Sequence, residues 1–187
     1  GWTSAPSVGG QYGNWVSTAG DVNGDGYSDV IAGAPTDSSA ASSAGRAFLY
    51  HGSSTGLATS AAWASSGDGT VNSAYGSGAA TVGDVNGDGY SDVMVGAQTF
   101  GGGSDSGKAF LYHGGASGLS TTAAWTSTGD GQAGARFGYS VSGVDVNGDG
   151  FSDALVGAWG FDTTNSNAGK PYLYYGTGGA GLTLRPR

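Results

Sequence analysis

Nine of the fourteen acidic side chains, all of them Asp, lie in three copies of one nonapeptide: DVNGDGYSD at 21–29 and at 84–92, and DVNGDGFSD at 145–153. In the first copy Asp21, Asn23 and Asp25 alternate, so their side-chain oxygens converge once the backbone coils. Gly26 permits the sharp turn that returns Asp29 to the same centre, and Tyr27 is expected to add its backbone carbonyl. The second copy offers Asp84, Asn86, Asp88, Tyr90 and Asp92. The third offers Asp145, Asn147, Asp149, Phe151 and Asp153, and Phe151 in place of Tyr fits a residue used only through its carbonyl. Such a set of hard, anionic oxygens suits Ca²⁺, which takes 6–8 of them; Mg²⁺ gives up its waters too reluctantly for an all-protein cage. Zinc or copper would call for thiolates and imidazoles. The expectation is three Ca²⁺ per chain. The loop follows an EF-hand for six positions and then departs, because its twelfth positions are Ala32, Val95 and Val156 rather than Glu, inside apolar runs. A strand–loop–strand setting is expected.

The segments around the loops repeat with them. The loops start 63 and then 61 residues apart, and a fixed period of this kind marks a repeat architecture. Trp2, Trp63 and Trp125 fall in register, in GWTS, AAWASSGDG and AAWTSTGDG. An aromatic-Gly pair precedes each loop (Tyr12-Gly13, Tyr75-Gly76, Phe137-Gly138). DVIAGAP, DVMVGAQ and DALVGAW follow it, and GRAFLYHG, GKAFLYHG and GKPYLYYG close the unit. DVIAGA reads as a central strand covered on both faces and RAFLYHG as an aromatic, β-rich strand. With a small-residue strand before the loop and the Trp strand after, each unit supplies four short strands and no helical period. The fold expected is an all-β propeller of three four-stranded blades of about 62 residues, with repeats at about 1–62, 63–124 and 125–187 in a single region. Gly13, Ser17, Gly76, Gly78, Ala79, Gly138 and Ser140 keep the first strand small, as crowding at a propeller axis demands. The third unit has one residue fewer between Phe137 and Asp145, so its loop is expected to sit differently.

A net charge of −8 excludes a nucleic-acid face and an anionic membrane surface; three dications would bring it to about −2. Forty Gly could suggest a linker, but 5 Trp, 10 Tyr and 6 Phe at regular intervals argue for a packed core. There is no Cys, no apolar stretch of membrane-spanning length and no leader-like start, as in a mature protein or an excised segment.

FG at 137–138 with YG in its sister units, GAP at 33–35 relaxing to GAQ and GAW, and the Asp-x-Asn-x-Asp-Gly-x-x-Asp loop between them resemble the FG-GAP repeats of integrin α-subunit propellers and their bacterial relatives, over essentially the whole chain. The resemblance implies a Ca²⁺ loop joining the first and second strands of each blade. It also implies extracellular or secreted adhesion or recognition without catalysis. Such propellers usually have seven blades, and three units fall short of that number.

A catalytic reading finds little: no Cys, no Ser in a nucleophile elbow, and His51 and His113 at one repeated strand end where Tyr175 stands in the third unit. Arg46, Lys108 and Lys170 precede the third strands and are expected to be solvated. Trp15 and Trp159 lack Trp in their sister units and are the candidates for stacking on a sugar or protein ligand. The rival functions are a carbohydrate-binding propeller lectin and an isolated or engineered half-propeller fragment that self-assembles. Trp2 is expected in a fourth strand that precedes any blade, and the third blade is expected to be one strand short. Exchange of that strand between two chains would complete a six-bladed homodimer.

Overall fold

The computed structural model describes residues 1–4, 9–179 and 182–183. In these residues twelve strands form three separate four-stranded antiparallel sheets, and there is no helix among them. The first sheet comprises β1 (Trp15–Gly20), β2 (Asp29–Ala34), β3 (Arg46–Tyr50) and β4 (Trp63–Ser65), in that order. The second repeats it with β5 (Tyr75–Gly83), β6 (Asp92–Ala97), β7 (Lys108–Tyr112) and β8 (Trp125–Ser127). The third holds β9 (Phe137–Val144), β10 (Asp153–Ala158), β11 (Lys170–Gly176) and β12 (Leu182–Thr183). This is the make-up of three propeller blades, each nonapeptide joining a first strand to a second. The second and third sequence repeats each begin with the strand that closes the sheet before them.

The second strands are the most buried, as their unbroken apolar runs require: β6 is buried along its whole length. Tight packing between sheets rests on glycine. A Cβ on Gly33 would come within 2.0 Å of the Gly76 carbonyl, and one on Gly96 within 1.8 Å of the Gly138 carbonyl. The small first strands therefore let one sheet's backbone lie on the next. The Trp strands fasten the same joints, with Trp63 edge-on to Tyr112 (ring centroids 5.0 Å apart) and Trp125 edge-on to Tyr174 (4.7 Å).

Two expectations change here. The third sheet is not a strand short, because β12 pairs with β11 at Tyr175 and Gly176. That contact is displaced along the strand from the one β4 makes, which runs from Ala47 to Leu49 on β3. Trp2 lies in no strand, although it packs edge-on against Tyr50 at 5.2 Å much as Trp63 packs against Tyr112. Leu184–Arg187, the rest of the closing segment, lie outside the described residues.

Candidate calcium loops and the inter-sheet clasp

Each acidic loop coils around its first Asp. Asp21 accepts hydrogen bonds from the amides of Gly24 (2.7 Å), Asp25 (3.1 Å) and Gly26 (2.8 Å). Asn23 Nδ2 donates to Asp25 at 2.9 Å, and the Tyr27 amide donates to the same carboxylate at 2.9 Å. Those two bonds, Asn23's first, hold the Asp25 carboxyl below the usual range. The second loop repeats the pattern around Asp84, with Asn86 donating to Asp88 and the Tyr90 amide joining it. The third repeats it around Asp145, where Asn147 and the Phe151 amide donate to Asp149. The Gly150 amide is the largest of the influences holding Asp145 low. Among the described residues no three His, Cys, Asp or Glu side chains gather as metal-site geometry would require. The donors that would hold Ca²⁺ are hard oxygens throughout, the right chemistry for that ion, and here they are turned to the loop's own amides.

The ninth-position carboxylates do more than the sequence suggests. Asp29, Asp92 and Asp153 are fully buried. Asp29 accepts from the Val22 amide and from the Gly52 amide just past β3, both at 2.9 Å. Asp92 does the same with Val85 and Gly114, and Asp153 with Val146 and Gly176. One carboxylate thus ties loop, second strand and third strand together, as a buried charge without hydrogen bonds could not. Burial pushes the Asp92 carboxyl up to about 7, against the pull of its two amide donors and with the help of the Asp88 and Asp84 charges.

Loops of successive sheets also clasp one another. The Ser91 amide donates to the Asp21 carbonyl (2.9 Å), and the Asp21 amide donates back to the Ser91 hydroxyl (3.2 Å). The Tyr90 ring lies over Gly24 so closely that a Cβ there would come within 2.7 Å of it. Between the second and third sheets the Ser152 amide donates to the Asp84 carbonyl at 2.8 Å, and the Phe151 ring covers Gly87. The seventh-position aromatic, expected to matter only through its carbonyl, thus covers the preceding loop with its ring. Gly20 and Gly83 form bulges with φ of +74° and +76° before their loops. The third unit, one residue shorter, has Val144 there, pairs it directly with Asp153 and forms no bulge at that end of the strand.

Other sequence candidates separate clearly. Trp15 donates its indole N–H to the Ala79 carbonyl of the next sheet (2.8 Å), so it is engaged in packing. Trp159 is 48% exposed, edge-on to Tyr139, with the Arg136 guanidinium 5.4 Å from its ring centroid. Lys108 and Lys170 are not simply solvated: they pair with Asp68 (2.9 Å) and Asp130 (2.5 Å), and each ammonium also lies 4.7–4.8 Å from two aromatic rings. Arg46 lies 4.7 Å over the Phe48 ring. The Nε2 atoms of His51 and His113 are buried with no hydrogen-bond partner among the described residues, and burial lowers the His113 pKa.

Three antiparallel four-stranded sheets with an acidic loop between each first and second strand define a repeat protein of the propeller-blade type. The FG-GAP repeat matches at residues 12–50, 75–112 and 137–174. The chain belongs to the FG-GAP repeat family, whose matches run from each aromatic-Gly pair into the third strand of the same sheet. It is similar to integrin alpha-7 of Rattus norvegicus, 34% identical over 159 residues (82% of this chain and 13% of that protein). Integrin alpha-5 of Xenopus laevis is 31% identical over 188 residues, 94% of this chain and 17% of that one. Integrin alpha-IIb of Mus musculus is 34% identical over 146 residues, 75% and 14%. The chain therefore spans less than a fifth of the length of these relatives. Among the described residues no helix is long and apolar enough to cross a membrane.

Proposed function

We propose that this chain is a non-enzymatic, calcium-binding β-propeller module for adhesion or ligand recognition outside the cell, with Ca²⁺ as a structural ion. The observation that carries the reading is the threefold recurrence of one oxygen-rich loop with one hydrogen-bond pattern, at one place in each sheet. Its likeness to integrin α chains supports the adhesive role. In each sheet the first, third, fifth and ninth side chains of the loop and the seventh carbonyl would hold the ion. Bound Ca²⁺ would relieve the repulsion among the three carboxylates and join two strands at their connection. In this reading two chains pair into a six-bladed ring.

Titration calorimetry is expected to count three ions per chain, and the melting temperature to fall in EDTA. At a calcium concentration 100 times the dissociation constant each site would contribute about 2.7 kcal/mol, and less at the weaker affinities usual for extracellular modules. A melting curve identical with and without EDTA would defeat the proposal. A second reading, a carbohydrate-binding propeller, is favoured by the exposed Trp159 beside Tyr139. A glycan array probed in Ca²⁺ and in chelator decides between them, since binding abolished by Trp159→Ala would establish the lectin.

A further inference from the structure

Among the described residues the joint between successive sheets is built twice, and the two halves of a third joint stand open, one on the first sheet and one on the third. At the first joint the Tyr75 amide donates to the Ala44 carbonyl (2.9 Å), and Gly76 and Gly45 lie against backbone of the facing sheet. At the second the Phe137 amide donates to the Ser106 carbonyl (2.9 Å), with Gly138 and Gly107 in the same places. The corresponding third set is Tyr12 and Gly13 on the first sheet, and Gly157, Ala168 and Gly169 on the third. Gly13 adopts φ +83°, beside +86° at Gly76 and +87° at Gly138, yet a Cβ on it would meet no described residue within 4 Å. Gly169 keeps its positive φ as well, and its Cβ would meet nothing nearer than 3.5 Å, against 2.2 Å at Gly45 and Gly107. Ile31, Leu49, Met94 and Leu111 are fully buried at the filled joints. Their equivalents Leu155 and Leu173 are only half-buried, beside an open groove of about 280 Å³ that Leu155, Gly157 and Pro171 help to line.

The strand pattern agrees. At the filled joints the Trp strand pairs with the third strand as Trp63 opposite Leu49 and Ser65 opposite Ala47, and as Trp125 opposite Leu111 and Ser127 opposite Ala109. On β11 the same stretch, Pro171–Leu173, has no such strand among the described residues, because β12 meets only Tyr175 and Gly176. Residues 2–4 meanwhile sit on the first sheet as β4 sits on the second. The Trp2 indole donates to the Ala58 carbonyl as that of Trp63 does to Ser120, both at 3.0 Å. Ser4 Oγ bonds the Tyr50 hydroxyl as Ser65 Oγ bonds that of Tyr112.

We propose that the open edge of the third sheet docks the first sheet of a second copy of this chain. Residues 2–4 of one copy pair antiparallel with β11 of the other: Trp2 opposite Leu173, Thr3 opposite Tyr172 and Ser4 opposite Pro171. Tyr12 and Gly13 then seat against Ala168, Gly169 and Gly157. The joint forms twice about a two-fold axis, leaving neither edge bare. The proposal rests on the six-bladed reading and supplies the residues that make the ring close. Two departures weaken this joint relative to those inside the chain. Pro171 lacks the N–H that Ala47 and Ala109 carry. Val144 stands where Gly20 and Gly83 allow the next sheet's Ser hydroxyl to approach.

The test is light scattering on the whole chain over a range of concentrations, in Ca²⁺ and in chelator, together with amide exchange. The expected mass is twice 18.2 kDa. The Leu173 amide should exchange slowly in the dimer and faster on dilution to the monomer. Leu155→Lys, which sets a charge in the groove, should raise the dimer dissociation constant roughly thirtyfold or more while the circular dichroism is unchanged. A chain that stays at 18.2 kDa, or one that grows into open polymers, overturns both the ring and the joint. A dimer in which Leu155→Lys changes neither the mass nor the Leu173 exchange, or whose Leu173 amide is no better protected than in the monomer, overturns the joint alone.

Discussion

The fifth residue of each loop is the one whose loss should be felt by a single site. Asp25→Ala, Asp88→Ala and Asp149→Ala are each expected to remove one of three ions by calorimetry, leaving the other two. Tyr27→Phe should bind as the parent does, since Phe151 already stands at that position in the third loop; loss of an ion in it would show that the phenol is a ligand. A different residue-scale effect comes from backbone strain. Ala74 is held at φ +51° just before the aromatic-Gly pair, as are Gln11 (+60°) and Arg136 (+55°). A left-handed backbone costs an L-residue about 1–2 kcal/mol, part of which glycine gives back in chain entropy. Ala74→Gly should therefore raise stability by about 0.5–1 kcal/mol in denaturant unfolding, without moving the calcium stoichiometry.

At the scale of strands and their joints, glycine position decides tolerance. Gly33→Ala and Gly96→Ala force a methyl into a facing backbone carbonyl that cannot swing aside, and should cost about 3 kcal/mol each or prevent folding. Gly157→Ala meets only the Ser140 hydroxyl, which can rotate away, and should cost under about 1 kcal/mol in the monomer. The ion pair between Lys108 and Asp68 bridges the rim of the first joint. Burial alone would raise the Asp68 pKa, but the hydrogen bonds from Lys108 and Thr70 outweigh it and leave it lowered. A lowered folded pKa means that the pair's contribution is full above about pH 4 and is lost as pH falls through the folded value. With both groups partly in water it should be worth only about 0.5 kcal/mol, read by a double-mutant cycle of Lys108→Met and Asp68→Asn at pH 7 and at pH 3.

For the molecule as a whole, the period of the sequence was enough to read the class and the strand order, because each unit writes the same four strands with the same turn residues. The loops were legible for the same reason. What lay beyond the sequence were contacts that do not repeat at fixed spacing along the chain. The fixing of Asp29 to Gly52 joins residues 23 positions apart, and the cover of Tyr90 over Gly24 joins two different units. The ion pairs of Lys108 and Lys170 each span 40 residues, so the sequence alone left these side chains with no visible partner. β12 escaped notice because Leu182 and Thr183 pair with the end of β11 rather than with the stretch that the Trp strands use. One hint was visible in advance: the missing residue before Asp145, which the structure turns into the absent bulge at Val144.

The clasp between loops has a consequence for how such a chain can be lengthened or shuffled. A side chain at Gly24 would meet a ring carried by the following unit, and one at Gly20 that unit's Ser91, in addition to the strain of a φ of +74° at each. The fitness of one unit's turn is thus written partly in its neighbour, and a unit copied elsewhere brings only half of its own constraints. The portion that can be duplicated without loss runs from one clasp to the next, across the boundary at which the repeats are counted. The unit that carries Val144 in the place that Gly20 holds has already given up one side of that agreement, and a neighbour placed after it is free to vary where Ser91 and Ser152 are not.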